Sequence, residues 1–324
     1  MSKTDEIIEK SGVSRSTVFR FFRGDNVRPE LRKSIIKAMD DLGYSTKEFC
    51  LQNVVLEISV AKDFEKFKGF TEVIQGITER AESRHVTIQL VIRTGDQIKK
   101  DYHKWNDNSN TKGIIIIGKD LENEKIEAQC LRENKLPHVF VNRIIDEPGI
   151  SYVAVDLRKA AYDLVDCLIK KGHRRIATLA YPSILRIDRH KIEGYNDAFR
   201  KNGLEHDEKY KFILNKGDSS DDAIDKILNM KDKPTAFFGI CDSYAMEFIN
   251  KSHEKGLRIP EDIAVAGMDN LDIAQYFKPA LTTVQTPFRK LGILAVDQLL
   301  QLITEDIESI KTVVNHSLFV REST

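Results

Sequence analysis

From residue 54 onward, short apolar runs alternate with helix-length amphipathic segments, and this alternation restricts the fold more than any other feature. The runs are "VVLEISV" (54–60), "VTIQLVI" (86–92), "GIIIIG" (113–118), "PHVFVN" (137–142) and "YVAV" (152–155). A second series follows: "RRIATLA" (174–180), "KYKFILN" (209–215), "TAFFGI" (235–240) and "IAVAG" (263–267). Several are apolar at successive positions, so both faces need cover, as in parallel strands between two helix layers. Between the runs, Phe70, Val73, Ile74 and Ile77 share one face of a helical pattern over 70–83. Ala161, Leu164, Val165 and Leu168 do the same over 157–173, where Gly172 closes the helix. Two such series predict an α/β fold of two doubly wound parallel-sheet lobes. The chain is expected to cross between lobes near Val155–Asp156 and again near Thr286, with "TVVNHSLFVRE" (312–322) as an edge strand. Lobe 1 then holds 54–155 and 287–311, and lobe 2 holds 156–286 and 312–324.

Residues 1–44 carry no strand signal and read as three short helices. Ser2 or Thr4 caps the first, with Asp5 and Glu6 at its positive end and Ile7 and Ile8 as its apolar contacts. Gly12 permits a sharp turn, and Ser14 caps a second helix that starts at Arg15. Val18, Phe21 and Phe22 face the core, while Arg15, Ser16, Arg20 and Arg23 fall largely on the other side. Phe19 lies on that polar side, where it either touches a thymine methyl or sugar edge or covers a seam between helices. Pro29 opens the third helix, Gly43 ends it, and Leu31, Ile35, Ala38, Met39 and Leu42 form its buried stripe.

Charge separates this segment from the rest. The chain of 324 residues has 50 basic and 50 acidic side chains, so it exerts no net pull on phosphate. Residues 15–37 contain Arg15, Arg20, Arg23, Arg28, Arg32, Lys33 and Lys37 against Asp25 and Glu30, a local surplus of five positive charges. A basic face on a capped helix-turn-helix points to nucleic acid.

"SGVSRSTVFRFFRGDNVRPELRKSIIKAMDDLGY" resembles the N-terminal headpiece of the lactose/galactose repressor (LacI/GalR) family, whose usual pattern is "AGVSxxTVSRVLNG…VSxETRxxVxxAxxxLGY". The similarity continues, in order, through "KKGHRRIATLA" (170–180), "KIEGYNDAFRKNGL" (191–204), "PTAFFGICDSYAMEF" (234–248), "GLRIPEDIAVAGMDN" (256–270) and "PALTTVQTPFRKLG" (279–292). The resemblance implies a helix-turn-helix headpiece (1–45), a hinge (46–53) and a periplasmic-binding-protein-like core (54–324). It implies a homodimer that lays one recognition helix per subunit in the major groove of a palindromic double-stranded DNA operator. By matching positions, Arg15, Ser16 and Arg20 read bases, Ser14 and Thr17 hold phosphates, and Phe19 and Arg23 complete the contact set. The expected function is a transcription regulator, a repressor, modulated by a small molecule.

The hinge departs from the pattern. After "LGY" the family continues with "NxxARxL", whose leucine wedges into the minor groove. Here "GYSTKEFCLQNVVLEISV" follows, the first strand begins about nine residues after Tyr44, and Leu51 is out of step with the wedge.

The inter-lobe cleft implies an effector site for a sugar or sugar derivative. Residue by residue, the resemblance carries over Phe70, Asp156, Lys191, Asp242, Asp269 and Gln285, with Arg189 nearby. Carboxylates and amides bond hydroxyls, and an aromatic face covers a sugar ring. Cys241 stands where the family has asparagine, Ser219 where an aromatic is frequent, and Lys191 where arginine is usual. Arg186, Arg189 and Lys191 near one rim would favour a phosphorylated or carboxylated ligand. The altered cleft also leaves open a regulator controlled by a protein partner, or one with no small-molecule effector.

Other classes lack support. There is no Gly-rich phosphate loop, dinucleotide turn, nucleophile elbow or His-based metal cluster, so no enzyme and no cofactor are expected. Cys50, Cys130, Cys167 and Cys241 are scattered and read as free thiols. "MSKTDEIIEK" lacks the apolar core of a signal peptide and no run spans a membrane, so a cytoplasmic protein is expected.

Overall fold

A computed structural model describes residues 2–22, 27–44, 54–61, 69–103, 111–118, 121–180, 186–215, 217–305 and 307–324. The N-terminal unit is three helices, α1 (Lys3–Ser11), α2 (Arg15–Phe22) and α3 (Pro29–Asp41). Ser2 caps α1: the Asp5 amide donates to its hydroxyl at 3.2 Å, and the Ser2 amide and hydroxyl donate to the Asp5 carboxylate at 3.4 and 2.7 Å. Gly12 takes φ 66°, the left-handed conformation that lets the chain turn sharply into α2. At the far end of α3, the Tyr44 amide bonds the Met39 carbonyl at 2.9 Å and the Gly43 amide bonds Asp40 at 3.1 Å, a Schellman closure. The Tyr44 hydroxyl donates to Glu6, tying that closure to α1. Ile7, Val13, Val18, Phe21, Phe22, Val27, Ile35 and Met39 form the core of this unit.

Two six-stranded sheets make up the rest. The first contains β1 (Val55–Val60), β2 (Thr87–Ile92), β3 (Thr111–Ile117), β4 (His138–Val141), β5 (Tyr152–Val155) and β11 (Lys311–Val314), in the order β11-β5-β4-β3-β1-β2. The second contains β6 (Ile176–Ala180), β7 (Lys211–Ile213), β8 (Ala236–Gly239), β9 (Ala264–Asp269), β10 (Thr282–Gln285) and β12 (Ser317–Phe319), in the order β12-β10-β9-β8-β6-β7. Every pairing is parallel except β10 with β12. In the first sheet Ile58 stands opposite Leu90 on one side and Ile115 on the other.

Helices cover these sheets: α4 (Phe70–Ser83), α5 (Gly95–His103), α6 (Leu121–Glu133), α7 (Leu157–Lys170), α8 (Arg186–Lys201), α9 (Ser220–Leu228), α10 (Asp242–Glu254) and α11 (Phe288–Thr304). The apolar faces expected for α4 and α7 point inward: Val73, Ile77, Ala161, Leu164, Val165 and Leu168 are buried, with Phe70 and Ile74 packed beside them. No helix among the described residues is long and apolar enough to cross a membrane.

Three findings differ from the sequence reading. Segment 312–322 is not one edge strand. Its first part joins β11, parallel to β5 in the first sheet, and its second part forms β12, antiparallel to β10 in the second. Residues 315–316 are therefore a third crossing between lobes, and Thr312–Val314 lie in the first sheet rather than the second. Next, β10 escaped the hydropathy pattern because Thr282 and Thr283 are polar, yet both are fully buried. Finally, β1 is not apolar on both faces. Glu57 and Ser59 point toward α5 and α6, where Ser59 and Tyr102 hydroxyls donate to Glu127 at 2.6 and 2.5 Å. Arg93 pairs with Glu57 there and with Asp101 at 3.0 Å, so the charge is buried in company.

In the first lobe α4 and α11 touch through glycines. A Cβ on Gly76 would overlap the Arg289 carbonyl, and one on Gly292 would overlap the Val73 carbonyl. Gly292→Val should therefore destabilise the protein by about 3 kcal/mol or more, because the obstacle is backbone that has no rotamer to change. Urea unfolding against wild type measures this, and an unchanged midpoint would contradict the packing.

Candidate DNA-contact surface and effector cleft

Helix α2 divides its side chains sharply. Val18, Phe21 and Phe22 are buried, whereas Ser14, Arg15, Ser16, Phe19 and Arg20 are exposed and Thr17 is half-buried. Ser14 starts the helix through its carbonyl, which accepts from the Thr17 and Val18 amides, both at 3.0 Å. Its hydroxyl lies 2.9 Å from the Thr17 hydroxyl and 3.2 Å from that of Ser16, a cluster of short polar groups at the positive end of the helix. The first turn of α2 has no acid, unlike those of α1 and α3. The Arg15 guanidinium sits 5.8 Å from the Phe19 ring centroid and 3.5 Å from Asp5. The Ser2 hydroxyl, more than Arg15, keeps the Asp5 carboxyl below its usual range. Phe19 is 40% exposed. Arg23 and the hinge segment 46–53 lie outside the described residues.

The cleft residues divide into a buried network and a rim. At the start of α10, Asp242 is fully buried. Its carboxylate accepts from the Leu271 amide at 2.7 Å and the Thr283 hydroxyl at 2.5 Å. Burial and the neighbouring Asp269 push it up to about 7. Lys191, 4% exposed, donates to the Ile240 carbonyl at 2.7 Å and lies 3.5 Å from Asp269. Asp269 itself holds φ 110° and Asn270 φ 52°, so the turn leaving β9 is strained and depends on its surroundings. Asp242 and Lys191, expected to touch an effector, make these contacts within lobe 2, which keep their buried charges in company.

Asp269 and Gln285, neighbours across β9 and β10, line a cavity of about 310 Å³ between the ends of those strands and the beginnings of α4 and α11, with Glu72, Asn270, Phe288 and Arg289. Phe70 is half-buried on the first turn of α4, packed against the apolar core. Asp156 caps α7, accepting from the Lys159 amide at 2.9 Å. Arg189 is exposed. Of the three cations expected near this rim, Lys191 is buried against Ile240 and Asp269, and the Arg186 side chain lies outside the described ones. Ser219 caps α9, accepting from the Asp222 amide at 3.3 Å, and burial pushes the Cys241 thiol up to about 11. Two buried charged groups, one from each lobe, escaped the sequence reading. Arg143, just past β4, forms a buried pair with Glu124 at 3.1 Å, and Asp188 is a 9% exposed acid on the first turn of α8.

Asp242 fixes a sign for pH dependence. Its folded value lies above the ordinary carboxylate value of about 3.9. Its contribution to stability is therefore full below about pH 4 and is lost as the pH rises toward 7. Asp242→Asn should remove that component. The difference in unfolding free energy between variant and wild type should shift in the variant's favour from pH 4 to 7. A difference that is flat with pH would rule this out.

A family model described as a periplasmic binding protein-like domain matches residues 165–324. The HTH-type transcriptional repressor PurR of Photobacterium profundum is 27% identical over 335 residues, covering 100% of this chain and 98% of the repressor. Among solved structures, a complex of the transcriptional regulator CelR with cellobiose superposes with a TM-score of 0.74 at 25% identity, covering all of both chains. The lac repressor dimer bound to operator and the anti-inducer ONPF matches in fold, with a TM-score of 0.71 at 24% identity over 100% of this chain and 98% of that one. These relatives are regulators of transcription rather than enzymes. With its helix-turn-helix unit and two-lobed core, the chain is similar to these transcription regulators over its whole length.

Proposed function

We propose that this regulator is a repressor that binds a near-palindromic operator as a homodimer and answers to a small molecule, a sugar or sugar derivative, in the cleft between its lobes. The observation that carries the reading is the exposed face of α2, where Arg15, Ser16 and Arg20 stand clear of the core. In the major groove an arginine bidentate to guanine discriminates by about 1–3 kcal/mol, so Arg15 and Arg20 are the base readers. Ser14 and Thr17, at the helix start, meet phosphate, and Phe19 offers an apolar contact to a thymine methyl. Arg23 completes the set by sequence position.

Pairing has its own support. Among the described residues β2 is one edge of the first sheet, with Leu90 44% and Ile92 48% exposed on one face. β7 is the corresponding edge of the second, with Ile213 45% exposed. Apolar edges left bare invite association, and a second copy of the chain is the partner that a palindrome requires. The half-buried Phe70 and the cavity beside Gln285 suit a polyhydroxylated ligand, and the likeness to a regulator solved with cellobiose supports that class.

Arg20→Ala should weaken binding to the selected operator by about ten- to a hundredfold while leaving binding to random duplex within a few fold. Selection from a random DNA pool followed by titration at fixed salt measures both, and equal losses would remove Arg20 from base reading. Leu90→Asp combined with Ile92→Asp should convert the dimer into a folded monomer in sedimentation velocity. A dimer that persists would put the interface elsewhere.

A further inference from the structure

We propose that Asp188 is the group by which the cleft selects its effector, accepting a hydrogen bond from a hydroxyl of a neutral, sugar-type ligand and turning away anionic forms of the same sugars. This rests on the cleft being the effector site, as proposed above.

Asp188 lies on the first turn of α8, which follows β6 at the end of the second sheet that faces the first lobe. It is only 9% exposed. An acid this deeply enclosed ordinarily has a cation or several donors on it. Among the described residues none hydrogen-bonds or ion-pairs with its carboxylate. The two cations whose fields reach it are Lys191, three residues along the same helix, and Arg143 from the other lobe. Both are engaged elsewhere. Lys191 donates to the Ile240 carbonyl at 2.7 Å and faces Asp269 at 3.5 Å. Arg143 lies 3.1 Å from Glu124, and both of those side chains are 2% exposed. Burial accordingly outweighs the two cations and holds the Asp188 carboxyl above its usual range.

The consequence is a buried acceptor without a donor, within the field of a cation from the other lobe. A ligand hydroxyl supplies what is missing and leaves the surrounding ion pairs intact. A phosphate or carboxylate brought to the same point meets an ionised acid beside two cations that are already paired. Of the cations that the sequence places at this helix start, Lys191 is already engaged inside lobe 2.

The test uses the full chain, with calorimetry and thermal melting against glucose, ribose and cellobiose, the phosphate esters of these sugars, and their aldonic acids. At least one neutral sugar is expected to bind and raise the melting temperature, with its anionic counterparts at least tenfold weaker. Asp188→Asn keeps the size of the side chain and removes its charge. It is expected to melt, without ligand, no lower than wild type. Its affinity for the neutral sugar should fall about ten- to a hundredfold, the scale of a lost charge-assisted hydrogen bond. Its preference over the phosphate ester should shrink as well. The proposal is overturned if an anionic form binds wild type as tightly as its neutral sugar. It is equally overturned if Asp188→Asn keeps wild-type affinity, or if the variant melts lower without ligand, which would reveal an internal partner. If no sugar of either kind binds wild type while the variant melts no lower, the effector reading beneath the proposal has failed, and the proposal falls with it. Binding that survives the substitution removes only the assignment to Asp188.

Discussion

The second lobe is organised around one carboxylate. Asp242 begins α10 just after β8, and its two oxygens reach the loop after β9 and the Thr283 hydroxyl of β10. A single buried acid thus fastens three consecutive stretches of the sheet at the end that faces the other lobe. The left-handed residues Asp269 and Asn270 stand because the Leu271 amide beyond them is held, and the Thr283 hydroxyl also accepts from the Asn270 amide at 3.2 Å. The arrangement is costly, since ionised Asp242 sits near Asp269, and Lys191 offsets it from the other side. Side chains that line the cleft therefore rest on a framework whose charges balance only as a group.

The N-terminal unit solves a different problem with fewer atoms. Its core is about a dozen apolar side chains, so end closures carry unusual weight: the capping box at Ser2, the left-handed turn at Gly12 and the Schellman closure at Tyr44. Acids are gathered on α1 and at the end of α3, where they serve caps and pairs, as Lys10 with Asp41 at 3.9 Å shows. The start of α2 is thereby left positive. A chain with no net charge can still present a locally basic face, and one whose pull on phosphate fades within about a Debye length, near 10 Å, favours contact over long-range capture.

Much of this was legible in the residues. The apolar runs at 113–118 and 152–155 are strands with buried side chains on both faces, and Val18, Phe21 and Phe22 are core, as their spacing required. What was not legible shares a cause. Thr282 and Thr283 look like loop residues because their hydroxyls appear polar until Ser323, Thr324 and Asp242 are seen to engage them and the Thr282 amide. The break at residues 315–316 leaves no mark in hydropathy, because a strand that changes sheets keeps its alternation. Asp188 was hidden by neighbours of opposite sign, although its spacing of three from Lys191 places both on one helix face. In each case the partner lies far away in sequence, and only the fold reveals whether a polar group is already satisfied.

The third crossing at residues 315–316 has a consequence for the order in which the molecule is made. The first sheet takes its last strand from Lys311–Val314 and a principal covering helix from Phe288–Thr304, after the whole middle of the second lobe has been synthesised. Residues 3–44 are continuous and can close as they leave the ribosome. Neither lobe is continuous in this sense, and each waits for the closing segment of the chain. The chain thus has its N-terminal unit before either sheet is complete, and residues 311–319 add a closing strand to both lobes.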